Sequence, residues 1–193
     1  MKELFDIENI RERVMSDSAK VCGITSIKKG EGKTYISSLL QESMIQIGDK
    51  TLLISMDGNW ETNKNRYEDG TIFCVEDVSD FQPHEIDSEK VRVIAFHNFS
   101  DFDKFVYSRE YGIFLEECKG KYDHILIDMA ALSEQSVSKK ICELCDDTMI
   151  VISKDAENGV NVRKEIEQLR NVGAKIKGII LNEHSFKRTI FKM

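Results

Sequence analysis

One stretch limits what this chain can be more than any other: Ile24-Thr25-Ser26-Ile27-Lys28-Lys29-Gly30-Glu31-Gly32-Lys33-Thr34, with an apolar run before it and helix-like sequence after it. A loop ending Gly-Lys-Thr between a strand and a helix can turn backbone N–H groups inward around phosphate oxygens, with the positive end of the helix dipole behind them. Gly30 and Gly32 let the backbone approach an anion, Lys33 can reach the β- and γ-phosphates, and the Thr34 hydroxyl can sit on Mg²⁺. The strict pattern G-x-x-x-x-G-K-[ST] asks for glycine at position 27, where this chain has Ile27. The expectation is a variant phosphate loop whose Lys33 stands exposed.

Composition narrows the partners. The chain has 193 residues, 27 basic and 34 acidic, for a net charge of −7. That length suits one α/β domain, 1–193, and the acidic balance leaves no broad basic face for nucleic acid. Five cysteines, with no signal-peptide pattern and no long apolar run, read as reduced thiols of a cytoplasmic protein. Cys142 and Cys145 form a C-x-x-C, but beside Ile141 and Leu144 at helical spacing they read as packing residues.

The periodicity alternates between strand and helix. Residues 3–16 carry Leu4, Ile7, Ile10 (or Arg11) and Val14 at helical spacing, which predicts an amphipathic helix within 1–18 that packs on the domain or on a neighbour. Strands are expected at 20–25, 51–56, 71–75, 91–96, 122–128, 148–153 and 176–181. Helices are expected at 34–47 (Leu39, Leu40, Met44 and Ile47 on one face, Gly48 ending it), 111–119 (Ile113, Phe114 and Leu115 as its stripe), 133–145 and 158–171. The fold class that follows is α/β, a mostly parallel, doubly wound sheet with helices on both faces. Two acids fall at strand ends, where ligands gather in such sheets: Asp57, which also suits the turn Asp57-Gly58-Asn59, and Asp128, which closes Tyr122-Asp123-His124-Ile125-Leu126-Ile127-Asp128. Downstream of a phosphate loop, Asp128 is placed to hold the water shell of a metal ion.

Four blocks now carry a resemblance: Val21 to Ser26 with Gly30-Glu31-Gly32-Lys33-Thr34; Thr51-Leu52-Leu53-Ile54-Ser55-Met56-Asp57; Tyr122 to Asp128; and Gly178-Ile179-Ile180-Leu181-Asn182. In this order they are similar to the bacterial tyrosine kinases of capsule and exopolysaccharide synthesis, the BY-kinases, within the MinD/ParA group of P-loop ATPases. The resemblance implies that ATP binds at Lys28, Lys29, Gly30, Glu31, Gly32, Lys33, Thr34, Tyr35 and Asn182, and that Mg²⁺ is held by Thr34, Asp57 and Asp128. It also implies catalytic roles for Lys33, Asp57 and Asp128, a homo-oligomer, a transmembrane activator of the polysaccharide co-polymerase type, and a place at the inner face of the cell membrane.

The chain departs from that family at named positions. Ser55 stands where the first Asp of an Asp-x-Asp pair is expected, Asn59 where Arg is, and Ala130-Ala131 where two prolines follow the strand-end Asp. Of the N-terminal Glu-x-x-Arg-x-x-Arg pattern associated with ring assembly, Glu8 and Arg11 remain, with Val14 in the last place. No tyrosine follows Asn182. Lys28 occupies the place of the signature lysine of ParA- and MinD-type loops, although a solvated lysine accounts for it as well. Three outputs are therefore in play: a weak tyrosine kinase, a nucleotide-dependent scaffold, and an ATPase that switches by dimerising.

Overall fold

The computed structural model describes residues 2–15, 18–56, 70–78, 81–82, 84, 86–96, 99–153 and 159–182. In chain order the elements are α1 (Lys2–Met15), β1 (Val21–Ser26), α2 (Lys33–Gln46), β2 (Thr51–Ser55), β3 (Ile72–Val75), β4 (Val93–Phe96), α3 (Phe99–Val106), α4 (Arg109–Lys121), β5 (His124–Asp128), α5 (Val137–Leu144), β6 (Asp147–Ser153), α6 (Gly159–Asn171) and β7 (Ile176–Asn182). The strands form one seven-stranded sheet, ordered β3-β4-β2-β5-β1-β6-β7, and each recorded pairing is parallel. The expected doubly wound α/β architecture is present.

Alternation along each strand divides the core between the two faces of the sheet. Cys22, Ile24, Leu53, Leu126, Met149, Val151 and Ile180 point to one face, where α1 and α2 cover them with Ile7, Val14, Ile36, Leu40 and Met44. Val21, Leu52, Ile54, Ile125, Ile127, Ile150 and Ile152 point to the other, against Phe105, Tyr111, Phe114, Ile141 and Leu169 of α3 to α6. Both faces are buried, so the strands read as continuous apolar runs. α1 is packed on its own domain by Ile7 and Val14, and Arg11 is engaged there too, donating to the Ser43 hydroxyl at 2.8 Å and to the Ser43 carbonyl at 3.2 Å.

The structure corrects several expected elements. In α4 the buried residues are Tyr111, Phe114, Leu115 and Cys118, spaced i, i+3, i+4, i+7, while Ile113 is 47% exposed; three consecutive residues cannot share one face of a 3.6-residue helix. Ile47 is 50% exposed because α2 stops at Gln46 and Gly48, at φ +96°, turns the chain away. α5 starts at Val137, four residues later than expected, because Leu132 and Ser133 give their N–H groups to the Ser26 and Ile27 carbonyls and Glu134 closes a turn onto Ala131. α3 has no counterpart in the sequence reading. Its Phe102 and Phe105 join Phe81, Phe96, Tyr111 and Phe114 in an aromatic cluster with ring centroids 5.2 to 6.3 Å apart.

Candidate phosphate-binding site

The loop between β1 and α2 leaves the sheet beside β5, at the carboxyl ends of the strands. Gly30 and Gly32 both take positive φ, +82° and +92°, in the left-handed region that favours glycine. Gly32 is the N-cap of α2 and offers no side chain, the first turn of the helix carries no acid, and the first N–H recorded as bonded back to the cap is that of Ile36, to the Gly32 carbonyl. The earlier N–H groups of such a turn have no intrahelical acceptor, and with the helix dipole they favour an anion. Ile27, in place of the strict pattern's first glycine, is buried in the α4-side core and anchors the start of the loop there.

Side chains stiffen the loop from within. The Lys28 N–H donates to the Glu31 carboxylate at 2.8 Å, and the Ser26 hydroxyl donates to the Lys28 carbonyl at 2.7 Å. Lys28 is thereby fixed along its backbone while its side chain is exposed, and Lys29 reaches across to Glu134 at 3.2 Å. Lys33 was expected to be exposed and is not. Only 4% of its surface meets solvent, so its stem is packed and its charge belongs to the interior of the site. Thr34 and Tyr35 are half-buried on the first turn of α2, and Tyr35 packs against the core beneath that helix.

Asp128 is fully buried at the end of β5. Register places it between Ile24 of β1 and Ser55 of β2, on the α2 side of the sheet with Leu126 and Ile24. Neighbouring strands lie about 4.8 Å apart, so Ser55 is the next side chain to Asp128. Asp57, the other expected metal-side acid, and Asn59 lie outside the described residues. The structure thus brings Lys33, Thr34 and Asp128 to one end of the sheet, and puts a hydroxyl at position 55 beside the buried carboxylate.

No protein-family model matches the chain. It is 24% identical over 191 residues to a Streptococcus pneumoniae protein named tyrosine-protein kinase CpsD, with 89% of this chain and 79% of that one covered. The tyrosine-protein kinase CpsD of Streptococcus agalactiae serotype Ia is 26% identical over 179 residues, covering 86% and 75%. Among solved structures, the VpsO kinase domain superposes with a TM-score of 0.75 at 22% identity over 95% of both chains. The septum site-determining protein MinD of Pyrococcus horikoshii, complexed with Mg-ADP, superposes with a TM-score of 0.64 at 20% identity, over 86% of this chain and 71% of that one. The fold is that of the MinD-like P-loop ATPases.

Within this MinD-like fold the structure adds supports that the sequence did not announce. Thr25 and Ser138, both buried, donate their hydroxyls to the Ala130 carbonyl at 2.9 and 3.0 Å, which fixes the chain just beyond Asp128 although both expected prolines are replaced. Asn182 comes to the loop from the far edge of the sheet, its amide donating to the Glu31 carbonyl at 3.0 Å. A threonine in a strand or a serine at the start of a helix carries no local mark of such a contact. The only available signal was the strand block that Asn182 closes.

Proposed function

We propose that this chain binds Mg-ATP in the loop of residues 28–34 and is a BY-kinase-like protein of surface-polysaccharide synthesis with slow phosphoryl transfer. The observation that carries this reading is the buried Lys33 at the base of a doubly glycine-turned loop, with the buried Asp128 on the adjacent strand. The cradle suits a polyphosphate: the first turn of α2 offers the N–H groups and positive dipole end of a helix N-terminus, and the charge comes from a lysine already desolvated. The chemistry of the donors suits Mg²⁺, since a hydroxyl at Thr34 and carboxylates at Asp128 and Asp57 are hard oxygen ligands. A bound Mg²⁺ would neutralise charge developing on the phosphates, and Lys33 would hold the same oxygens from the loop side.

Ser55 is what makes the transfer slow. A serine hydroxyl carries no charge and is a poor base at neutral pH, and a lost general base costs roughly a hundred- to ten-thousand-fold in rate. The same observation favours a second reading, a scaffold that binds nucleotide and assembles, as a homo-oligomer or on a membrane-embedded activator, without useful transfer. Among the described residues no helix is long and apolar enough to cross a membrane. Incubation with γ-labelled ATP and Mg²⁺ separates the readings. Label on tyrosine supports the kinase, free phosphate alone supports a switching ATPase, and binding with neither supports the scaffold; absence of nucleotide binding would remove all three.

A further inference from the structure

We propose that Asn182 is a positioning residue that holds the loop of residues 28–34 closed through the Glu31 carbonyl, an inference that rests on reading this loop as a phosphate cradle. The resemblance would have Asn182 meet the nucleotide. The geometry commits the NH₂ group of its amide to the protein. A backbone carbonyl can only accept, so the end of the Asn182 amide lying 3.0 Å from the Glu31 oxygen is the NH₂ group, whatever the crowding around it. The side chain is 5% exposed and lies flat on the loop: a Cβ added to Gly32 would come within 2.1 Å of the Asn182 Nδ2. Glycine at 32 therefore serves the strut as well as the positive φ.

The contact does not act alone. Asn182 fixes the Glu31 carbonyl, the Glu31 carboxylate accepts from the Lys28 N–H, and the Ser26 hydroxyl donates to the Lys28 carbonyl. Three side chains, from β1, the loop and β7, thus set the curvature of the turn before any phosphate arrives. A preformed cradle pays less ordering entropy on binding than one that must close around its ligand. Removing Asn182 leaves the loop's own donors in place and lets them wander.

The test uses the full chain and a ligand without a base, inorganic tripolyphosphate with Mg²⁺, beside ATP. Asn182→Ala and the near-isosteric Asn182→Leu, which removes the donor without adding charge, are expected to weaken tripolyphosphate and ATP by similar factors of roughly five- to tenfold, the worth of one such hydrogen bond. Amide exchange of the ligand-free protein is expected to quicken at residues 28–34 while that of β4 stays as in the wild type. A loss confined to ATP would make Asn182 a base contact and overturn the proposal, as would unchanged exchange in the loop. If the wild type binds neither polyphosphate, the phosphate reading falls by itself; quickened loop exchange in the variants would still uphold the strut. Should Asn182→Ala fail to fold, Asn182→Leu, which nearly keeps the volume and adds no charge, carries both measurements.

Discussion

Ser55 and Asp128 sit side by side in register, both buried, and that adjacency decides what a second carboxylate would do. Ser55→Asp would place two acids about 5 Å apart out of water, where like charges disfavour joint ionisation. We expect the variant to melt several degrees below the wild type without ligand, to regain that loss when Mg-ATP is added, and to turn over faster than the wild type; an unchanged single-turnover rate would end the case for a missing base. Lys33 calls for a different pair of substitutions because it is buried rather than exposed. Lys33→Met keeps the packed stem and removes the charge, so it should retain the wild-type melting temperature and lose ATP affinity by about a hundredfold or more, the cost of a desolvated charge pair. Lys33→Ala should lose both, and equal melting temperatures for the two would mean the stem contributes nothing.

These residues also mark the limit of sequence reading. The left-handed turn at Gly32 was legible from the glycine itself, and the place of Lys33 and Thr34 at the start of α2 from the helix-like run that follows them. The burial of Lys33 was not, since it depends on what the rest of the fold lays over the loop. Ile27 broke the strict pattern for a tertiary reason, its side chain being drawn into the core beneath α3 to α6.

At the scale of elements, the strands and helices were readable where apolar spacing ran long and unreadable where it was short. α3 spans eight residues and carries two acids, Asp101 and Asp103, so its aromatic spacing alone could not separate it from a loop. The C-x-x-C of α5 shows its meaning in the packing: a Cβ on Gly23 of β1 would come 2.9 Å from the Cys145 sulfur and 2.8 Å from the Met129 methyl. Burial pushes the Cys22, Cys118 and Cys142 thiols up to about 12 and raises Cys145 as well, whereas Cys74 on β3 is exposed. Thiolate is the reactive form, and at pH 8 such buried groups hold on the order of one part in ten thousand of it. A chromogenic disulfide reagent should therefore titrate one thiol in the native protein and the remaining four only after denaturant; two or more fast thiols would show that the layer between β1 and α5 opens.

For the molecule as a whole, acids tie the end of the sheet away from the loop, and one of them joins three elements. Asp146, between α5 and β6, accepts the Lys20 and Val21 N–H groups at 2.9 Å each and lies 3.7 Å from the Lys119 amine, joining β1, α4 and β6. Partial burial works against its charge, but the two N–H bonds and Lys119 prevail and hold the carboxyl below its ordinary value. A lowered folded-state pKa means stability present above the unfolded value, near 3.8, and lost as pH falls through the folded one. Asp146→Asn should cost on the order of 1 kcal/mol at pH 7, and its melting curve should converge on that of the wild type only as pH falls below 3.8 and through the lower folded-state value. A difference that persisted there would assign the loss to packing.

The strand order carries one consequence for how the protein is made. The loop lies near the start of the chain, yet the hydrogen bond that steadies it comes from residue 182, 151 positions later. A ribosome adding about 5 to 20 residues per second leaves roughly 8 to 30 s between the two. Through that interval the nascent chain carries the loop's glycines, lysine and threonine without their far support. On the proposed reading of this loop as a phosphate cradle, a polyphosphate would meet a finished grip only when β7 has docked on β6, and would reward the folded sheet rather than guide the early chain.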